Sequence, residues 1–141
     1  MVRLGREVRP VPSRRPRAAF ISDVAVLDAD WDVRRAFARL LRVAGYRVRT
    51  YRSAEEFLSA DIAGAVGCLV LDVHLEGISG LRLHQELAHR HLSLPMVFVT
   101  ADDNAISAVE ALPGHDAIAC LRKPCEDAAL IAAVADSLAS H

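Results

Sequence analysis

Short unbroken apolar runs alternate along this chain with stretches in which apolar residues recur every three or four positions. The runs are Val24–Leu27 (the end of a strand predicted over Ala19–Leu27), Cys68–Leu71, Pro95–Thr100 and Ala117–Leu121. Unbroken runs of this length suit strands buried on both faces of a parallel sheet. Tyr46–Tyr51 instead alternates apolar residues with arginine, the pattern of an edge strand. Between the runs lie helical periods. Asp30 is placed to cap a helix with Val33, Phe37, Leu40, Leu41 and Ala44 inward, stopped by Gly45. Ser53-Ala-Glu-Glu56 is a capping box opening a short helix with Phe57 and Leu58 inward. Gly80–His91 carries Leu83 and Leu87 in its stripe. Asp102–Leu112 carries Ala105, Val109 and Leu112, and Glu126–Ser140 carries Leu130, Ile131, Val134 and Leu138. Arginines 34, 35, 39 and 42 fall mostly on the opposite face of the first helix and are expected in solvent. Five strands alternating with five helices predict an α/β domain, its parallel strands joined by right-handed crossovers with helices on both faces.

Composition narrows the setting without changing the fold class. At 141 residues, 52% apolar and 25% charged, the chain has the content of one globular domain with one sizeable core. No apolar run approaches the roughly 18 residues of a membrane helix, and no signal-peptide pattern opens the chain. The expected setting is the cytoplasm. Cys68, Cys120 and Cys125 form no CxxC pair and sit in apolar patterns, so they read as reduced core or near-core residues. The net charge of −1 conceals a basic start: residues 1–17 hold six arginines against Glu7. With Pro10, Pro12 and Pro16 among those arginines, residues 1–18 are expected to be a mobile tail and residues 19–141 the folded domain.

Candidate chemistry gathers at the strand ends. The run Cys68–Leu71 stops abruptly on Asp72, and Gly77, Ser79 and Gly80 break the chain before the next helix. Asp72 could simply cap a turn. A carboxylate there is nevertheless costly to bury unless it is paired or binds a metal. Asp28 and Thr100 end two other runs, and Lys123, the one lysine among seventeen basic residues, stands just past the last. If the carboxyl ends of the strands share one edge, these groups line the crevice where such sheets bind ligands. Each type serves phosphoryl transfer: a carboxylate nucleophile, a second carboxylate toward Mg²⁺, and a hydroxyl and an ammonium for the phosphoryl oxygens.

The stretches Val24–Arg35, Gly45–Leu58, Cys68–Leu81, Leu94–Ala101 and Leu121–Pro124, in this order and spacing, resemble the response-regulator receiver domain, with the FixJ-like branch closest. The resemblance implies a flavodoxin-like five-stranded sheet of order 2-1-3-4-5 with five helices. It implies a single-domain response regulator whose Asp72 accepts a phosphoryl group from a histidine kinase or phosphotransfer protein. Asp28, Asp72 and the backbone carbonyl of His74 match the Mg²⁺ site. Thr100 matches the switch hydroxyl, and Lys123 the phosphate-binding lysine, whose bond to Pro124 is usually cis in the family. No DNA-binding domain is recognised and no membrane contact is expected. Output is expected through a partner protein the sequence does not name, with the face of the fourth helix and fifth strand as a surface for homodimerisation. Three positions depart from the family pattern. Ala29 stands where an acidic residue normally contacts the metal, so Mg²⁺ should bind weakly. Glu76 replaces a proline, and Cys120 replaces the aromatic that turns with the switch hydroxyl. The segment Leu112–His115 also holds one extra residue.

Two other functions fit parts of the sequence. A pseudo-receiver would use the fold as a phosphorylation-independent protein-binding surface, which Ala29 and Cys120 favour. A haloacid-dehalogenase-type phosphatase would use Asp28 as nucleophile and Asp30 as acid. That enzyme would need a late acidic metal pair, and Asp102-Asp103 precedes Lys123 rather than following it. The leading expectation is therefore a binding module and not an enzyme.

Overall fold

The computed structural model describes residues 23–60, 65–113 and 118–139. The tail of residues 1–18, the start of the first predicted strand, the extra residue near His115 and Ser140 all lie outside them. The described elements alternate throughout: β1 (Asp23–Leu27), α1 (Trp31–Val43), β2 (Arg47–Tyr51), α2 (Ala54–Ser59), β3 (Val66–Leu71), α3 (Gly80–His89), β4 (Met96–Thr100), α4 (Asp103–Glu110), β5 (Ile118–Arg122) and α5 (Asp127–Ala139). The strands pair in parallel in the order β2-β1-β3-β4-β5, the expected flavodoxin-like order. Leu27 is in register with Tyr51 and Leu71, Leu71 with Phe98, and Thr100 with Arg122, so the carboxyl ends lie along one edge.

Alternation of side chains along the strands divides the core into two layers. On one face, Val24, Val26, Cys68, Val70, Val97 and Val99 pack against Leu41 of α1 and Leu130 and Val134 of α5. On the other, Ala25, Leu27, Leu69, Leu71, Met96 and Phe98 meet Phe57 of α2, Leu83 and Leu87 of α3, and Ala105 and Val109 of α4. Cys68 is buried in the first layer, where desolvation pushes its thiol up to about 12. The edge strand β2 is tied at its base: Asp23, itself buried, accepts from Arg47 Nε at 2.9 Å and from Arg49 Nε and Nη2 at 3.2 Å.

Helix starts follow the local chemistry. Asp30 accepts from the N–H groups of Asp32 and Val33, Ser53 from Glu56, Ser79 from Arg82, and Asp102 from Asn104 and Ala105. The capping box at Ser53 is altered: Glu56 Oε1 accepts from the N–H of Arg52 and not from that of Ser53. α1 stops at Gly45, whose φ of +106° suits a residue without Cβ. α3 ends two residues before its predicted limit, and His91 adopts a left-handed φ of 58°. In α1 Ala38 and Leu41 are buried and the predicted Phe37 and Leu40 pack against the core at its edge, while Ala44, predicted inward, is exposed. Among the described residues no helix is long and apolar enough to cross a membrane.

α2 has only six residues, too few to persist without tertiary packing. Its anchor is Phe57, fully buried, with its ring edge-on to Tyr51 at 5.4 Å between centroids. Phe57→Ala should therefore destabilise the domain by about 3–5 kcal/mol, read as a lowered urea midpoint at unchanged m.

Candidate functional site

Register brings four chain segments to one corner of the sheet. Asp28 follows β1, Asp72 follows β3, Thr100 ends β4, and Lys123 follows β5. The Lys123 ammonium lies between the two carboxylates, 2.9 Å from Asp28 Oδ2 and 2.7 Å from Asp72 Oδ2. Each carboxylate turns its other oxygen to its own loop. Asp28 Oδ1 accepts the N–H of Asp30 at 2.9 Å, and Asp72 Oδ1 that of His74 at 3.0 Å. Both aspartates are buried, at 4% and 9% exposure, so the ammonium is what makes their proximity tolerable. Burial alone would lower the Lys123 pKa. The hydrogen bonds and charges of Asp72 and Asp28 outweigh it and hold the pKa above the usual lysine value.

The neighbouring backbone fixes this arrangement. Lys123 N–H donates to the Thr100 carbonyl at 2.9 Å, and the Lys123–Pro124 bond is cis. Thr100 is fully buried, and its Oγ1 accepts the N–H of Asp102 at 3.3 Å. Gly80 opens α3 directly against Asp72: a Cβ there would lie 2.7 Å from the Asp72 carbonyl oxygen. Two side chains not singled out from the sequence also belong to the site. Arg34, expected in solvent, is half-buried and donates from Nη1 to the Asp28 carbonyl at 2.6 Å. It lies at the border of the polar face, and only the turn of β1 into α1 brings it back over the strand end. His74 Nε2 lies 2.9 Å from Asp102 Oδ2, joining the loops that follow β3 and β4. That hydrogen bond, with those from the N–H groups of Asn104 and Ala105, lowers the Asp102 pKa. The two residues are 28 apart in sequence, so no local spacing signals the pair.

Among the described residues, no group of three or more His, Cys, Asp or Glu side chains is arranged to hold a metal. Ala29 is exposed and offers no ligand atom. Asp30 beside it is committed to capping α1, and Glu76 is exposed on a loop that pairs with Ser53. Two adjacent carboxylates still fit Mg²⁺, which commonly takes one or two and keeps several waters. Asp102 and Asp103 form no late acidic metal pair: the first caps α4, and the second is paired with Arg122. Cys120 is half-buried beside a cleft of about 360 Å³ that Val109, Glu110 and Ile118 also line.

The family model for the response regulator receiver domain matches residues 24–135. The chain is 42% identical to the transcriptional regulatory protein FixJ of Azorhizobium caulinodans, over 82% of this chain and 54% of that protein. It is 39% identical to the transcriptional regulatory protein TdiR of Thauera aromatica, over 84% of this chain and 52% of that protein. The chain thus spans about half the length of these curated relatives. Among solved structures, the response regulator StyR superposes with a TM-score of 0.73 at 34% identity, covering 85% of this chain and 60% of that one. The chemotaxis protein CheY4 of Vibrio cholerae gives the same TM-score at 19% identity, covering 84% and 99% respectively, and supports the fold alone.

Lys123→Met removes the cation between two buried carboxylates and should cost about 3 kcal/mol in urea unfolding at neutral pH. A lysine whose pKa is raised on folding contributes stability that is complete below the unfolded value. That contribution is lost as pH rises through the folded one. The difference between wild type and variant should therefore hold from neutrality up to the ordinary lysine value of 10.5 and shrink only above it.

Proposed function

Because this chain belongs to the response regulator receiver domain family of two-component systems, we propose that it is a phosphorylation-controlled receiver with Asp72 as its phosphoacceptor. The observation that carries this reading is the Lys123 ammonium held on both Asp28 and Asp72. In the proposed reaction a carboxylate oxygen of Asp72 attacks the phosphorus of a phosphohistidine on a kinase or phosphotransfer protein. The new P–O bond forms as the P–N bond breaks, and the leaving imidazole takes a proton from solvent. The Lys123 ammonium then moves from the free carboxylate to the phosphoryl oxygens, and the buried Thr100 hydroxyl turns toward them. Asp28, Asp72 and the His74 carbonyl would hold Mg²⁺ in this reading, and the bound ion would supply neutralisation of the phosphoryl charge. Arg34 keeps the Asp28 turn in place through its carbonyl.

The protein is a signalling module in this proposal, acting in the cytoplasm through an output partner, with the α4–β5 face as the surface for that partner or for a second copy. A second reading, a pseudo-receiver working without phosphorylation, is favoured by Ala29 and Cys120. With a thiol where the family carries a ring, little packing separates two states of the α4–β5 face, and a ligand shifts an equilibrium only by its differential affinity.

Incubation with acetyl phosphate and Mg²⁺, followed by mapping of the modified residue, separates these readings. Wild type should carry the phosphoryl group on Asp72, and Asp72→Asn should carry none while keeping its fold. An unmodified wild type would leave the pseudo-receiver, and label on Asp28 would favour the phosphatase chemistry.

Ala29→Asp should tighten Mg²⁺ binding tenfold or more, given that lesser, outer-shell changes typically cost 10–100-fold. Calorimetric titration of both proteins with Mg²⁺ reads the difference. Equal affinities would show that water or another group already serves at that position.

A further inference from the structure

We propose that Glu55 is a positioning residue for Asp72, and that the corner between β2 and α2 braces the loops of both site carboxylates. This rests on the receiver reading for its functional meaning and on geometry for its existence.

The corner touches both loops. The Tyr51 carbonyl accepts the N–H of Asp28 at 3.3 Å. Two residues on, Ser53 forms an isolated parallel bridge with Glu76. Glu55 Oε2 then accepts the N–H of Ile78 at 3.0 Å, across 23 residues of sequence. The two neighbouring glutamates divide their work. Glu56 closes its own helix start by accepting the N–H of Arg52, while Glu55 reaches out of the helix to the loop behind Asp72. Gly77 makes that reach feasible. Its φ is +75°, and a Cβ at this position would overlap the Glu55 carboxylate. A side chain there would thus meet both backbone strain and the brace.

The corner can serve as a brace because it is anchored in the core. Ala54 and Phe57 are fully buried, and Ser53 caps the helix between them and β2. The loop has other ties as well: His74 Nε2 lies 2.9 Å from Asp102 Oδ2, and Leu75 and Ile78 pack against the core. Asp72 N–H donates to the Leu27 carbonyl at 3.2 Å, His74 N–H to Asp72 Oδ1, and Gly80 N–H to the Val73 carbonyl at 2.8 Å. Between His74 and Gly80, the hydrogen bond from Ile78 to Glu55 and the Ser53–Glu76 bridge are the two ties that fasten the loop to this corner. Without the Glu55 bond the far half of the loop loses one of its two fastenings to the corner, and the His74 N–H that orients Asp72 Oδ1 is held less firmly. Glu55 therefore acts on Asp72 through the loop, without touching the reacting atoms.

The test compares wild type, Glu55→Ala and Glu55→Gln for phosphorylation by acetyl phosphate at saturating Mg²⁺, with hydrogen exchange at the Ile78 amide. Glu55→Ala should slow uptake about fivefold, the scale of one exposed charge-assisted hydrogen bond. Its urea midpoint should stay near wild type, because Glu55 is exposed. Its Ile78 amide should exchange faster. Glu55→Gln keeps an oxygen acceptor in place and should restore both the uptake rate and the amide protection to within about twofold. Wild-type uptake by Glu55→Ala despite an unprotected Ile78 amide would overturn the proposal, as would failure of Glu55→Gln to restore either property. If wild type takes no phosphoryl group, the receiver reading falls, and the exchange rates alone decide whether the brace exists.

Discussion

Two buried carboxylates at hydrogen-bonding distance from one ammonium set the terms for the rest of this structure. Asp28 and Asp72 end adjacent strands, so the sheet order itself forces them together. In a low-dielectric corner, two anions repel and each lacks water. Lys123 resolves this from two strands away, reaching over the end of β4 with its own N–H on the Thr100 carbonyl. The surrounding contacts hold the carboxylates in the geometry that one ammonium can serve. Arg34 fixes the Asp28 turn, His74 N–H faces Asp72, and Gly80 admits α3 against the Asp72 backbone.

Two of the departures from the family pattern, Ala29 and Cys120, fall on different sides of this knot. Ala29 thins the carboxylate side, leaving two carboxylates and one lysine where a third anion would demand a dication more strongly. Cys120 thins the α4–β5 face, leaving a cleft beside Val109 and Ile118. The groups that would bind a phosphoryl group, Thr100 and Lys123, are intact and buried or half-buried between these losses. In the proposed receiver reading, chemistry at Asp72 and transmission to the α4–β5 face are thus physically separable.

What could be read from the sequence was what obeys a local period or ends an apolar run. Leu83 and Leu87, Val109, Leu130 and Val134 lie in the core as their spacing requires. Asp30 and Ser53 cap helices because their side chains reach only two or three residues ahead. Asp28, Asp72, Thr100 and Lys123 were visible because a polar residue at the end of a buried strand is expensive unless it has partners. Missed were the contacts whose partners lie far along the chain or whose residue sits at the border of a helical face. Glu55 was passed over between Ser53 and Glu56 of a capping box, Arg34 looked like one of four solvated arginines, and nothing linked the His74 ring to Asp102 at the start of a helix. The reciprocal bond of the capping box also shifted by one residue, from Ser53 to Arg52. Glu56 can reach either N–H, and local spacing does not choose between them.

The ion pairs of Lys123 span 95 and 51 residues, which gives the site a place in time as well as in space. During synthesis the first three strands leave the ribosome well before the lysine does, and they already hold both aspartates. Until the end of β5 follows, a nascent sheet at this corner holds two anions and no counter-ion. Contacts of such long sequence separation form late because the intervening loop must close first. The corner where Lys123 meets both aspartates is therefore finished only when nearly the whole domain is, and under the proposed function a partly folded chain would lack a complete acceptor site.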